Sequence, residues 1–121
     1  MEISLYSAAI FVTNLERAVE FYRDVLGLPL RTQGNFGAEF PTGEGRLTIH
    51  EAVHPESKAL VGRHTGLTFR VDGILHFCGD LHAKGVTFIA DPTKQDFGIM
   101  AMIADPDGNM MALWGGPGET E

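Results

Sequence analysis

One cysteine is all this chain contains, and Cys78 alone cannot close an internal disulfide. Its place among the apolar positions of a helical pattern reads as a packed thiol rather than a nucleophile. Basic clusters are missing as well. Nine Lys and Arg against sixteen Asp and Glu leave a formal net charge of -7. Phosphate neutralisation needs a basic face, so nucleic acid is excluded as a partner. The acidity suits a cationic ligand, and it suits plain solubility equally. No apolar run approaches the roughly 20 residues that span a bilayer. The opening MEISLYS has an acid at position two and no basic stretch ahead of an apolar one, which excludes a secretory signal and points to a cytoplasmic protein. Glycines fall at helix ends and turns, not in a phosphate-cradling loop. No nucleophile–base pairing stands out: Ser7 can be drawn with His50 or His64, but nothing in the sequence activates it.

What the chain does have is a repeat. Asn14 and Gly27 bracket the apolar-periodic stretch LERAVEFYRDVLGL, and Asp72 and Gly85 bracket GILHFCGDLHAKGV, with the same spacing of thirteen residues. A short apolar strand precedes each stretch and a glycine-containing strand pair follows it. Length alone allows one domain with a core that needs neither disulfide nor metal.

In the first half, residues 3–13 are β-branched and apolar and read as a strand. Asn14 is placed to cap a helix over residues 15–26, with Glu16 at its positive end and Gly27 as its left-handed stop. Ala18, Val19, Phe21, Tyr22, Val25 and Leu26 form its apolar stripe. Residues 28–32, 35–40 and 46–52 are further strands, and residues 53–63, with a proline and charges, are a linker. The second half reads as a strand over 65–71, a helix over 73–84, a strand over 86–89, a loop over 91–95, and strands over 97–104 and 109–114. Asp105-Pro106-Asp107-Gly108 is a tight turn joining the last two strands. The closing GGPGETE reads as a loose tail. The expected architecture is α+β, with tandem βαβββ modules over about 3–52 and 64–116 inside one domain of residues 1–121.

The strings FVTNLERAVEFYRDVLGLPL and IADPDGNMMALW, in that order with the repeat between them, resemble the vicinal oxygen chelate superfamily. That group contains glyoxalase I, extradiol dioxygenases, fosfomycin-resistance enzymes and bleomycin-resistance proteins. The resemblance covers about residues 5–114. It implies mixed β-sheets that curl into a cup with helices outside, commonly completed in a homodimer. In metal-dependent members it also implies a divalent ion held by His and Glu from four strands. A fold of this kind hosts unrelated chemistries, so function rests on the site.

The four ligand positions carried over from the family fall on Ser7, Thr48, Gly66 and Ala112. Ser, Thr, Gly and Ala cannot build a tight divalent site, so no metal and no cofactor are expected. His50 and His64 lie two residues from Thr48 and Gly66. By strand alternation they share those faces, which leaves a shifted site as the alternative. His54, His76 and His82 are expected to face solvent.

With the ligands replaced, the inward set becomes a candidate small-molecule pocket: Ser7, Phe11, Thr48, His50, Thr68, Arg70, Met110 and Trp114. Apolar walls supply affinity and sparse polar groups supply orientation. Trp114 offers a flat ring for stacking, and Met100, Met102, Met110 and Met111 are adaptable wall or sheet–helix core. Arg70 either clamps a carboxylate or phosphate of a ligand or, one register off, points to solvent or pairs with an acid such as Glu39 or Glu51. Three functions follow. The chain is a metal-free binder of an aromatic or cationic compound, or a metal-dependent lyase, isomerase, dioxygenase or thiol transferase using His50 and His64. The third reading is a non-catalytic dimerisation domain whose space is closed by Phe11, Phe40 and Trp114.

Overall fold

The computed structural model describes residues 2–118. The fold is α+β, and the chain divides into two compact units at Gly62 and Arg63.

In the first unit, β1 (Ala8–Val12) is followed by α1 (Leu15–Glu20), then β2 (Thr32–Gln33), β3 (Gly37–Thr42) and β4 (Gly45–Glu51). The sheet order is β1-β4-β3-β2, with β1 parallel to β4 and the remaining pairs antiparallel. Asn14 caps α1 as its position implies: its side-chain oxygen accepts from the Arg17 backbone N–H at 3.0 Å. The Glu51 carboxylate accepts from the Leu15 N–H at 3.0 Å, so a second acid from β4 satisfies the positive end of the helix. The helix does not stay α to residue 26. Residues Phe21–Val25 widen into a π turn, where the Leu26 N–H reaches the Phe21 carbonyl at 2.9 Å. Phe21 and Tyr22 are both buried, and Tyr22 packs against Phe40 with ring centroids 6.2 Å apart.

Two strand boundaries contract. The expected strand over 3–13 pairs only from Ala8, because the parallel ladder begins with Ala8 opposite Leu47. The strand expected over 28–32 shrinks to β2: Pro29 has no N–H to give a ladder, and pairing starts at Thr32 opposite Glu39. The segment expected as a linker over 53–63 is not structureless either, and up to Gly62 it belongs to the first unit. A short helix, α2 (Pro55–Lys58), starts at a proline suited to a first helical position.

The second unit repeats the topology. β5 (His64–Arg70) leads into α3 (Ile74–Ala83), then β6 (Thr87–Gln95), β7 (Gly98–Ala104) and β8 (Met110–Gly115), in the order β5-β8-β7-β6. Again the first and last strands of the unit run parallel. Helix α3 buries Ile74, Cys78 and Leu81, an i, i+4, i+7 stripe. Each fully buried aliphatic side chain of this kind contributes about 1.5–3 kcal/mol.

One correction concerns residues 91–95, expected as a loop. They belong to β6, whose ladder with β7 shifts register between Phe88 and Ala90 and again between Ala90 and Thr93. Pro92 sits inside the second shift. Because β6 is the outer strand of its sheet, a residue without an N–H and two irregular pairings cost it no ladder on the far side. At the end of the chain Gly115 closes β8. Part of the expected loose tail, residues 119–121, lies outside the described residues.

Candidate functional site

Each sheet has one face buried under its own helix and one face left open by that unit. In the first sheet Ile10, Val12, Leu47 and Ile49 point to the helix and are almost fully buried. Strand alternation puts their neighbours on the open side. There the register sets Ala9 beside Thr48 and Glu39, and Phe11 beside His50 and Gly37. Ser7, just ahead of β1, is half-buried.

These open-side groups satisfy one another. The His50 Nε2 lies 3.0 Å from the Thr48 hydroxyl, whose Oγ1 donates to the Ala8 carbonyl at 3.4 Å. The His50 ring leans on Phe11 with centroids 5.5 Å apart. Arg46 forms an ion pair with Glu39 and stacks over the Tyr6 ring, 4.3 Å from its centroid. The hydrogen bond to Glu39 and that carboxylate's charge hold the Arg46 guanidinium above its ordinary value. Glu39 and Glu51 are therefore both engaged within the first unit, one by Arg46 and one by the α1 terminus. Sequence reasoning had them only as fallback partners for Arg70.

Phe40 does not belong to this face. It is fully buried beneath the helix with Tyr22, which removes it from the side chains expected to close the open side. The four methionines also divide. Met111 is fully buried with Leu113, whereas Met100, Met102 and Met110 are half-buried on the open side of the second sheet.

That second open face carries rows set by register. Thr68 lies opposite Ala112, and Ala112 opposite Met102. Arg70 lies opposite Trp114, and Trp114 opposite Met100. Thr68, Arg70, Met110 and Trp114 are thus brought onto one face of one sheet, with Thr68 and Arg70 exposed. Trp114 is locked in place. Its Nε1–H donates to the Phe97 carbonyl at 2.8 Å, and its ring edge lies against Gly98 and Gly116. Gly98, with φ +127°, is a residue that sequence reasoning missed: a Cβ there would stand 2.8 Å from Trp114 Nε1 and 2.1 Å from the Gly115 carbonyl. The only signal available was a glycine one residue into a predicted strand.

Simple alternation fails at His64. A register shift between His64 and Thr68 interrupts the β5–β8 ladder, and Gly66 has a φ of +76°. The Gly66 N–H turns back to donate to His64 Nδ1 at 3.0 Å, while Thr65 donates to the Met110 carbonyl at 2.8 Å. A position expected to offer a metal ligand is here a bulge that ties its own histidine down.

The donor set does not fit a divalent ion. Ser7, Thr48, Gly66 and Ala112 present neither imidazole nor carboxylate. His50 and His64 each already use a ring nitrogen within their own strand. Among the described residues, no three His, Cys, Asp or Glu side chains come together as a possible metal site. The remaining histidines are exposed as expected, but His82 is not idle. It pairs with Asp91 at 2.9 Å and stacks on Phe88 with centroids 3.9 Å apart.

The Asp105–Gly108 turn is tied down from within. Asp105 Oδ1 accepts from the backbone N–H groups of Asp107 and Asn109, both at 2.9 Å, and Oδ2 accepts from the Asn109 amide at 2.9 Å. Both residues are buried. The turn therefore delivers β8, and Trp114 with it, in a single register. No helix among the described residues is long and apolar enough to cross a membrane.

Comparison with known proteins agrees with the fold. The family model for the Glyoxalase/Bleomycin resistance protein/Dioxygenase superfamily matches residues 4–113. The uncharacterized protein YraH of Bacillus subtilis (strain 168) is 31% identical, covering 93% of this chain and 98% of its own length. TnmS3, an antibiotic binding protein from Streptomyces sp. CB03234, superposes with a TM-score of 0.77 at 26% identity, covering 96% of this chain and 98% of its own. A glyoxalase/bleomycin resistance protein from the same Streptomyces superposes with a TM-score of 0.73 at 28% identity over 92% and 99% of the two chains. A topology repeated in both halves, a family match across nearly the whole length and these relatives lead to one conclusion: the chain belongs to the glyoxalase/bleomycin resistance protein/dioxygenase superfamily.

Proposed function

We propose that this protein is a metal-free small-molecule binding protein that holds an aromatic compound against the open face of its second sheet. The observation that carries the reading is Trp114. It is a large ring whose N–H is already satisfied, wedged at one edge by glycines and flanked on its open side by Met100. A ring so held loses little freedom when a flat ligand stacks on it, and the neighbouring methionines adapt to the ligand's outline. Thr68, Arg70 and Met110 of the second unit are the further ligand-contacting side chains of this reading, while Ser7, Phe11, Thr48 and His50 belong to the open side of the first unit. The similarity to TnmS3 supports it, because that protein binds an antibiotic. Against a metal-dependent reaction stands the donor chemistry of the family's ligand positions, which a divalent ion cannot use.

A thermal-shift panel of flat aromatic compounds tests the proposal on the full chain. Binding to the native state alone raises the melting temperature, by an amount that grows with ligand concentration. Saturation by an active compound also shifts or quenches the Trp114 emission. No stabilisation across the panel, or stoichiometric zinc, nickel, manganese or iron in protein purified without chelator, refutes it.

A further inference from the structure

Arg70 is exposed, stands opposite Trp114 in the β5–β8 ladder, and has no hydrogen bond or ion pair among the described residues. Two other arginines are held by side chains: Arg46 by Glu39 and Tyr6, and Arg23 by Asp24. The surroundings of Arg70 are also unlike the rest of this chain. The protein carries sixteen Asp and Glu, yet β5, β7 and β8 contain none. The one acid of β6, Asp91, is engaged by His82 of α3, and the one lysine of β6, Lys94, is paired with Ile99 on the helix side of the sheet. An unpaired guanidinium therefore stands on a sheet whose strands offer it no free carboxylate, in a protein of net charge -7; the acids nearest in sequence, Asp72 and Asp96, lie just beyond the ends of β5 and β6.

Trp114 limits what its partner can be. Because its indole N–H already donates to Phe97, the ring offers a ligand only its π face and its edge. It reads flatness and donates nothing. Arg70 supplies the complementary half, a planar fork of donors matched to a carboxylate or similar oxyanion. Neighbouring strands lie about 4.8 Å apart, so the acidic group and the stacked ring belong to one compact molecule.

We propose that the ligand class of this site is a planar aromatic anion, its ring stacked on Trp114 and its acidic group bound by Arg70. This rests on the small-molecule-binding reading above and narrows it. Of the two ligand types that composition allowed, aromatic and cationic, the local charge at the second sheet disfavours the cationic one despite the acidic chain as a whole.

Calorimetric titration of the full chain with three matched probes decides the matter: 2-naphthoate, the neutral 2-naphthamide and the cationic 2-naphthylmethylammonium. The expected result is naphthoate binding about tenfold tighter than the amide, the margin of a charge-assisted hydrogen bond, with the cation weakest. Arg70→Gln removes the preference for naphthoate over the amide, and Arg70→Lys keeps part of it. Arg70 is exposed, so neither variant threatens the fold. Equal affinities for all three probes, or an anion preference that survives in Arg70→Gln, overturns the proposal while leaving the binding function standing. Absence of binding by all three overturns both.

Discussion

The indole N–H of Trp114 donates to the carbonyl of Phe97, seventeen residues away in sequence, at 2.8 Å. That bond joins the last strand to the β6–β7 turn. It fixes the plane of the single tryptophan, so the stability of the turn and the optical properties of the ring are coupled.

Gly98 is the point where that coupling is weakest. A Cβ there would lie 2.1 Å from the Gly115 carbonyl, and its φ of +127° is closed to other residues. Gly98→Ala is expected to destabilise the protein by about 3 kcal/mol or more and to shift tryptophan emission in the folded state. Urea denaturation followed by fluorescence reads both at once. A midpoint within error of wild type would show that the β7–β8 contact has room to spare.

Asp105 and Asn109 are bonded to each other within a buried hydrogen-bond network, in which Asn109 Oδ1 also accepts from the Arg63 N–H at 3.4 Å. Removing either one takes from the other the hydrogen bonds the two share. Asp105→Ala and Asn109→Ala should therefore each cost about 2–3 kcal/mol. The double variant should cost clearly less than the sum, because the second substitution removes a group already orphaned. Additive losses in chemical denaturation would mean that the two act separately.

Burial first, and the nearby Asp91 carboxylate second, push the Cys78 thiol up from 9.0 to about 11. The folded value is the higher one, so the contribution of the neutral thiol is complete below the unfolded value. It is lost as pH rises from 9.0 toward about 11. Wild type should thus lose roughly 2–3 kcal/mol relative to Cys78→Ala across that window. Paired urea titrations at both ends isolate the cysteine from lysines and tyrosine, which titrate in both proteins. A constant difference between the two proteins contradicts the assignment. Alkylation of the folded protein near neutral pH should likewise be slow.

Added zinc or nickel should leave the melting temperature where a chelator leaves it, because His50 is bound to Thr48 and His64 to Gly66. Differential scanning fluorimetry with and without metal checks this. A saturable rise with metal that His50→Ala abolishes would restore a metal site.

Much of this architecture follows from period and spacing in the chain. Asn14, with a helical stripe after it and Gly27 at its end, suffices to place α1, since capping and amphipathicity act over a few neighbouring residues. The equal spacing of the two halves carries over to two sheets of identical topology. Alternation also suffices to put Phe11 with His50, and Arg70 with Trp114, on shared faces, because a strand side chain has only two sides to choose from.

Local pattern failed where the answer depended on a partner strand. Pro92 reads as a loop residue until β6 is known to be an outer strand, whose free side needs no donor. His64 reads as a neighbour of Gly66 on one face until the bulge turns the backbone and spends the ring nitrogen. Phe40 and Met111 are apolar like their open-face neighbours, and only packing under a helix decides that they are core.

The fold class and the duplication are thus properties of residue identity and order, because they depend on interactions within a turn or a strand. Which charges remain free is a different kind of property. Glu39 went to Arg46, Glu51 to a helix end and Asp91 to His82, and Arg70 was left opposite a ring with no acid paired to it among the described residues. That outcome comes from pairings between residues up to dozens of positions apart, and only the folded chain brings those partners within reach.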